Sequence, residues 1–360
     1  MKLSLLFFFL VSFLTSTAQL PSKTKNVFIV TIDGIRWQEV FIGADSVIIN
    51  NNRFTSDGDL AKLMYLDSSA DLSRKKLLPF FWNVIQRQGR LYGNRLYNNK
   101  VNVSNSYKFS YPGYNEIFTG YPDLAVNSNG PKNNLNINVL EYLNSFDEFK
   151  NKVVSFTSWN IFPYILNSSR SGMPVYSGYD SINENGNFDL HIFNEAQQNL
   201  VKEKTGTRMD MLTFIAASEY IKANKPKVVF IGFGECDEDA HHGEYDKYLQ
   251  HLNEADKMIQ QLWYFIQSTP EYKNKTTLII TTDHGRGKRN NRWTDHDVLV
   301  RGSGDAWLAV IGPDTKPEGE MQLPQQLYQK QIASTISSFL GYNFTANHPV
   351  AKSINFKSPN

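Results

Sequence analysis

Five runs of apolar, largely β-branched residues punctuate this chain: NVFIVTI (26–32), KVVSFTS (152–158), KVVFIGF (227–233), TTLIITT (276–282) and WLAVIGP (307–313). Their apolarity is continuous rather than alternating, which predicts strands covered on both faces, as in a mostly parallel sheet. Between them Leu249, Leu252, Met258, Ile259, Leu262, Phe265 and Ile266 recur at helical spacing and predict a helix over about 246–267. Leu327, Ile332, Ile336 and Phe339 predict a last helix stopped near Gly341. This order makes an α/β sandwich with helices on both faces of the central sheet. With 41% hydrophobic and 13% aromatic residues, the chain can bury a core of that size. No fixed-period repeat or low-complexity stretch suggests another architecture. The Asn-, Gly- and Ser-rich stretches 43–59 and 123–138 read as long loops above the sheet.

The N-terminus, MKLSLLFFFLVSFLTSTAQL, carries one Lys, an apolar stretch from Leu3 to Leu14, and small residues ending at Ala18. It predicts an export signal at 1–18, followed by one domain over 19–360 that works in the periplasm or outside the cell. A retained anchor is the alternative. No later segment approaches the roughly 20 apolar residues a membrane span needs, so the mature chain is expected to be soluble. A net charge of +2, without a long basic run, argues against a nucleic-acid polymer as partner. A single cysteine, Cys236, cannot form an intrachain disulfide, so an exported fold has to rely on its core and on metals. Oligomeric state is not legible.

In open α/β sheets, ligands bind beyond the carboxyl ends of the strands. NVFIVTI is followed by Asp33-Gly34, and KVVFIGF by GECDEDAHHG, with Asp237 and His241 at i and i+4. TTLIITT is followed by Asp283-His284, and WTDHD, just before WLAV, holds His296. Any one of these reads as a turn in which Asp bonds nearby amides. The turn reading must explain all of them at once, and most of the chain's histidines fall among them. Mixed Asp and His donors suit a borderline ion such as zinc, with manganese as the alternative, whereas calcium or magnesium prefers oxygen. Six such donors exceed one tetrahedral zinc and match two with open positions.

With these motifs in view, the chain resembles the alkaline phosphatase superfamily, and more closely its nucleotide pyrophosphatase/phosphodiesterase-like branch. TIDG, a Ser/Thr nucleophile, an Asp with His four residues on, TDHG and a late His follow in the family's order. The stretch FSYPGYNEIFTGYPD (109–123) is similar to the branch's Thr-Phe-Pro-Asn-His-Tyr segment running into Thr-Gly, and a gap-free alignment from Ser110 to Gly120 puts Ser110 at the nucleophile. The resemblance implies one metal on Asp237, His241 and His296, and another on Asp33, Asp283, His284 and the oxygen of Ser110. Ser110 is expected to open a helix whose amides face the phosphate; a simple capping serine is the bland counterpart. Gly113 and Tyr114 depart from the branch's Asn-His. The Asn that supports a phosphoryl oxygen corresponds to Asn127 or Asn129, with Asn129 preferred. Trp159, Asn160 and Tyr164 are candidates for a pocket floor, although such aromatics more often pack the core.

What the resemblance implies is a hydrolase of small phosphoric esters working through a phosphoserine at Ser110. Diesters or nucleotide-like esters are expected over monoesters, because Tyr107, Phe109, Tyr111 and Tyr114 crowd Ser110, with Lys108 the one cation among them. The cations Arg95, Arg170 and Arg289 cannot be placed from sequence. An alkaline-phosphatase-type phosphomonoesterase on the same core is the alternative. A sulfatase would need Arg where Tyr114 stands. A phosphoglycerate mutase-like enzyme needs a larger insertion than the stretch between Ser110 and Asp237 allows, and a glycan- or lipid-binding protein has no need of Ser110.

Overall fold

The computed structural model describes residues 22–356, so the expected export signal at 1–18 lies outside the described residues. Its strands are β1 (Asn26–Ile32), β2 (Gly89–Tyr92), β3 (Asn99–Asn102), β4 (Val153–Thr157), β5 (Val175–Ser177), β6 (Val228–Phe233), β7 (Thr276–Thr281), β8 (Asp305–Ala306), β9 (Leu308–Ile311), β10 (Gly319–Glu320) and β11 (Gln325–Tyr328). Eight form one sheet in the order β10-β2-β9-β7-β1-β6-β4-β5, and β11-β3-β8 form a small second sheet. β1 is central and runs parallel to both β6 and β7, with Ile32 beside Phe233 and Thr31 beside Thr281. β4 and β5 extend the parallel part. The last apolar run, β9, lies antiparallel to β7 and β2.

The continuous apolarity of the runs has the expected cause. Along β1, Phe28, Val30 and Ile32 enter one apolar cluster while Val27 and Ile29 enter the other. The first face is covered by helices Asp210–Asn224 and Tyr245–Ser268, the second by Ser110–Thr119 and Ile332–Phe339. Tyr245–Ser268 contains the predicted helix and buries Leu249, Leu252, Met258, Ile259, Leu262 and Ile266. Each such side chain contributes about 1.5–3 kcal/mol.

Two expectations are corrected. Leu327 belongs to β11, which pairs with β3, and the last helix begins only at Ile332 after a 3-10 turn. Pairing with a distant strand overrode the local spacing. Stretch 43–59 is not one loop: Asp45 caps a short helix Ser46–Ile49, and Asp57 caps the helix that begins at Gly58. Capping aspartates look like loop composition when the sequence is read alone.

Candidate metal centre

β7, β1 and β6 are adjacent and parallel, so the residues that follow them meet at one edge of the sheet. Asp33 follows β1, and Asp283 and His284 follow β7. Asp237 and His241 lie on helix Glu235–His242 directly after β6. His296 arrives on the loop before β8. Ligand atoms of Asp33, Asp283 and His284 lie within 4.8 Å of one another, and so do those of Asp237, His284 and His296. His241 Nε2 is 3.1 Å from Asp237 Oδ2 and 3.0 Å from His296 Nε2. His284 stacks on His296 with ring centroids 3.9 Å apart and stands between the two groups. His284 and Asp283 are buried, whereas the His241 side chain is half exposed, so the cluster opens to solvent on that side.

Asp33, Asp283 and His284 are each aimed by a partner behind them. The Tyr114 hydroxyl donates to Asp33 Oδ2 at 3.0 Å, and the Gly34 amide donates to Asp283 Oδ1 at 3.1 Å. The opposite oxygens, Asp33 Oδ1 and Asp283 Oδ2, are buried without a hydrogen-bond partner. They lie 3.5 and 3.4 Å from His284 Nε2. His284 Nδ1 sits 3.0 Å from the Gly285 carbonyl; donating there leaves the Nε2 lone pair toward the aspartates. A buried oxygen without a partner costs about 1–3 kcal/mol, and a divalent cation between these three atoms would remove that cost. The residues present therefore fit a metal, and the mixed nitrogen and oxygen donors fit zinc or manganese.

The electrostatics agree. Burial lifts Asp283 to about 7, with the Asp237 charge adding to it. Asp33 is also raised, first by burial and then by Asp283 and Asp237. Burial pushes His284 well below its ordinary range, the His296 charge adding to it, and brings His296 to about 4. Burial opposes ionisation of Asp237 too, but the Arg286 guanidinium and the His241 hydrogen bond outweigh it and hold this carboxyl well below the usual range. A divalent cation would convert the raised carboxyls to charged ligands, as metal binding releases protons.

Ser110 is the first residue of helix Ser110–Thr119, all ten residues of which are buried. Its Oγ is 3.3 Å from His284 Nε2. Pro112 is tolerated in the first turn, where no amide donor is needed, and Gly120 ends the helix at φ 70°. Glu116 fixes the helix from behind by accepting the amides of Ser104, Asn105 and Lys330. Asn129 is exposed, and its Oδ1 accepts the Tyr111 amide at 2.9 Å, which places it at the start of the same helix; Asn127 is exposed. Tyr111 and Tyr114 are core residues, while Tyr107 and Phe109 are half-buried with rings 5.8 Å apart. Trp159 is half-buried and Asn160 exposed, beside the loop that contains Gly206. Arg95 pairs with Asp305 and Arg170 with Glu141.

Sequence reasoning noticed Gly113 and Tyr114 only as departures from the motif, without their structural roles, and passed over Arg286. Gly113 lies against the Asp283 backbone, where a Cβ would come within 2.7 Å of the Asp283 carbonyl. Tyr114 holds Asp33. Arg286 contacts Asp237. The first two stand where the resemblance breaks down, and Arg286 is two residues beyond His284; those positions were the available signal.

The family model described as Metalloenzyme superfamily matches residues 181–300, which include Asp237, His241, Asp283, His284 and His296. Curated proteins give no match. Among solved structures, the alkaline phosphatase PafA is 11% identical, with a TM-score of 0.57 over 94% of this chain and 99% of that one. The lipoteichoic acid synthase LtaP from Listeria monocytogenes is 11% identical, with a TM-score of 0.56 over 93% of this chain and 74% of that one. The phosphonate monoester hydrolase of Agrobacterium radiobacter is 10% identical, with a TM-score of 0.54 over 91% of this chain and 76% of that one. Likeness at these identities is likeness of fold, here the α/β fold of alkaline phosphatase, and the metalloenzyme model matches the stretch 181–300 that carries five of the candidate ligands.

Proposed function

We propose that this chain is an exported, two-metal hydrolase of small phosphoric esters that attacks phosphorus through Ser110. The observation that carries the reading is Ser110 Oγ, 3.3 Å from His284 Nε2 at a helix start, beside two groups of candidate ligands that meet at His284. Asp33, Asp283 and His284 would hold one zinc, and Asp237, His241 and His296 the other. When bound, the cations supply positive charge that lowers the pKa of a hydroxyl or water and neutralises phosphoryl oxygens. The protein's own residues do the rest. Ser110 Oγ bonds to phosphorus while the ester P–O bond breaks and the alcohol leaves. Water then cleaves the Oγ–P bond and regenerates the serine. The Tyr111 amide is held by Asn129 Oδ1 and the Gly113 amide by the Phe109 carbonyl, so the helix start would act on the phosphoryl group through its dipole, and Asn129, fixed through its Oδ1, would offer its amide nitrogen. Solvent enters on the His241 side.

Phosphodiesters are the preferred class in this reading. Arg95 and Arg170 are already engaged with Asp305 and Glu141, and the half-buried rings of Tyr107 and Phe109 flank the approach to Ser110. A monoesterase is the second reading, favoured by Lys108 two residues before Ser110.

An acid quench of the zinc-loaded protein with phosphorus-labelled substrate should leave label on Ser110. Ser110→Ala should lose about 1,000-fold or more in turnover with its metal content retained. Label on another residue, or activity retained in S110A, rejects the mechanism. Matched aryl monophosphate and aryl phosphodiester assays decide the class. A tenfold higher kcat/KM for the monoester, about 1.4 kcal/mol, rejects the diester preference and leaves the hydrolase standing.

A further inference from the structure

Arg286 is among the largest fully buried side chains of the protein. Its guanidinium reaches each of the other segments that carry the candidate ligands. Nε donates to the Gly34 carbonyl at 3.1 Å, next to Asp33. Nη2 donates to the Asp237 carbonyl at 3.1 Å and to Asp237 Oδ1. Nη1 donates to the carbonyl of Thr294, two residues before His296. Arg286 itself continues the strand end that carries Asp283 and His284. The fit is close: a Cβ on Gly34 would lie 2.4 Å from Asp237 Oδ1 and 2.9 Å from Arg286 Nε, and Gly34 adopts φ 65°. Few side chains other than arginine carry a planar fork of donors able to serve three carbonyls and a carboxylate at once.

Asp33 and Asp283 each keep a protein donor on one oxygen and turn the other toward His284. For Asp33 the donor is Tyr114 and for Asp283 it is the Gly34 amide. Asp237 differs: Arg286 donates to Oδ1, which also lies 3.9 Å from His284 Nε2 and 4.0 Å from His296 Nε2, while Oδ2 faces His241 Nε2 at 3.1 Å, so the guanidinium fixes the carboxylate between the histidines. We infer that Arg286 is a positioning residue that holds Asp237, His241 and His296 as a ready-made ligand set, so that the cation on this set depends on Arg286 while the one on Asp33, Asp283 and His284 does not. The inference rests on the two-metal reading above. Two effects oppose each other here: the fixed guanidinium orients the ligands, and its charge repels a cation beside them. The number of contacts to separate segments makes orientation the larger effect.

The test is zinc binding by the purified full chain, measured by chelator competition and elemental analysis for the wild type, R286Q and R286K, with H241A marking which ion is lost. The wild type should bind two zinc ions. R286Q should keep one at an affinity within about threefold of wild type and hold the other about 10–100-fold more weakly, the range expected when an outer partner of a metal ligand is lost. That weakened ion should be the one H241A loses. R286K, which keeps the charge without the fork, should recover less than half of that loss on a logarithmic scale, and it carries the comparison if R286Q does not fold. Tighter zinc in R286Q would show that repulsion dominates and overturn the inference. Equal weakening of both ions in a folded variant would also overturn it, because it would make Arg286 a general structural residue. Fewer than two zinc ions in the wild type defeats the two-metal reading and the inference with it, whereas two in the wild type and two unchanged in R286Q defeats the inference alone.

Discussion

At the scale of single residues, the centre depends on which oxygen of each aspartate is occupied by a protein donor. Tyr114 and the Gly34 amide leave one buried oxygen on Asp33 and one on Asp283 without partners. Gly113 and Tyr114, which part from the phosphodiesterase-like motif, therefore have a local physical role: the glycine lets the Ser110 helix approach Asp283, and the tyrosine orients Asp33. Gly113→Ala would put a methyl group 2.7 Å from the Asp283 carbonyl oxygen, a backbone atom that cannot swing away. The expected result is a loss of about 1–3 kcal/mol in unfolding free energy, the usual cost of forcing a methyl group into a packed site. Zinc binding at Asp33, Asp283 and His284 should weaken as well. Denaturant melts and zinc titration of G113A check both effects, and wild-type values in both would show that the contact tolerates a side chain.

Between elements, the helix that carries Asp237 and His241 is secured at its start and its middle. Asp210 accepts the Gly234 and Glu235 amides at 2.8 and 3.1 Å at its start. Further along, His251 of the next helix donates to Asp239 at 2.6 Å and lies 3.7 Å from Glu235. Burial alone would lower the His251 pKa, but the Asp239 hydrogen bond and charge, with Glu235 and Asp210 behind them, lift it from 6.5 to about 9. The folded state thus holds this proton more tightly than the unfolded chain. Its stabilisation is full below about pH 6.5 and is lost as pH rises through about 9. After allowance for solvent screening it is on the order of 1 kcal/mol. His251→Gln should lower Tm by about 2 °C at pH 6.5 and by almost nothing at pH 9.5. A deficit of equal size at both pH values would mean that packing, rather than the proton, is what His251 contributes.

Over the whole molecule, the sheet order puts β7, β1 and β6 side by side, so ligands far apart in sequence reach one edge. Cations that bind only the folded chain should therefore stabilise all of it. Stripping zinc with a chelator should lower Tm, and adding zinc back should restore it; free zinc at 100 times Kd corresponds to about 2.7 kcal/mol. A Tm indifferent to both treatments would detach the candidate metals from the stability of the fold. Among the described residues, no helix is long and apolar enough to cross a membrane.

The five apolar runs could be recognised as strands from sequence because burial on both faces writes itself into consecutive residues, and β1, β6 and β7 follow those runs closely. The Tyr245–Ser268 helix was legible for a similar reason, since one buried face repeats at helical spacing. Asp33, Asp237, Asp283 and His284 stood out because each comes just after such a run. The tertiary structure alone decided the contacts that depend on distant partners. It paired Leu327 with β3 in a strand, sent Tyr111 and Tyr114 into the core, and left one oxygen of Asp33 and one of Asp283 without a donor. It also brought Arg286 to Gly34, Asp237 and Thr294. Strand and helix patterns are set by neighbours along the chain, whereas the direction of a carboxylate or guanidinium is set by whichever donors and acceptors folding brings beside it.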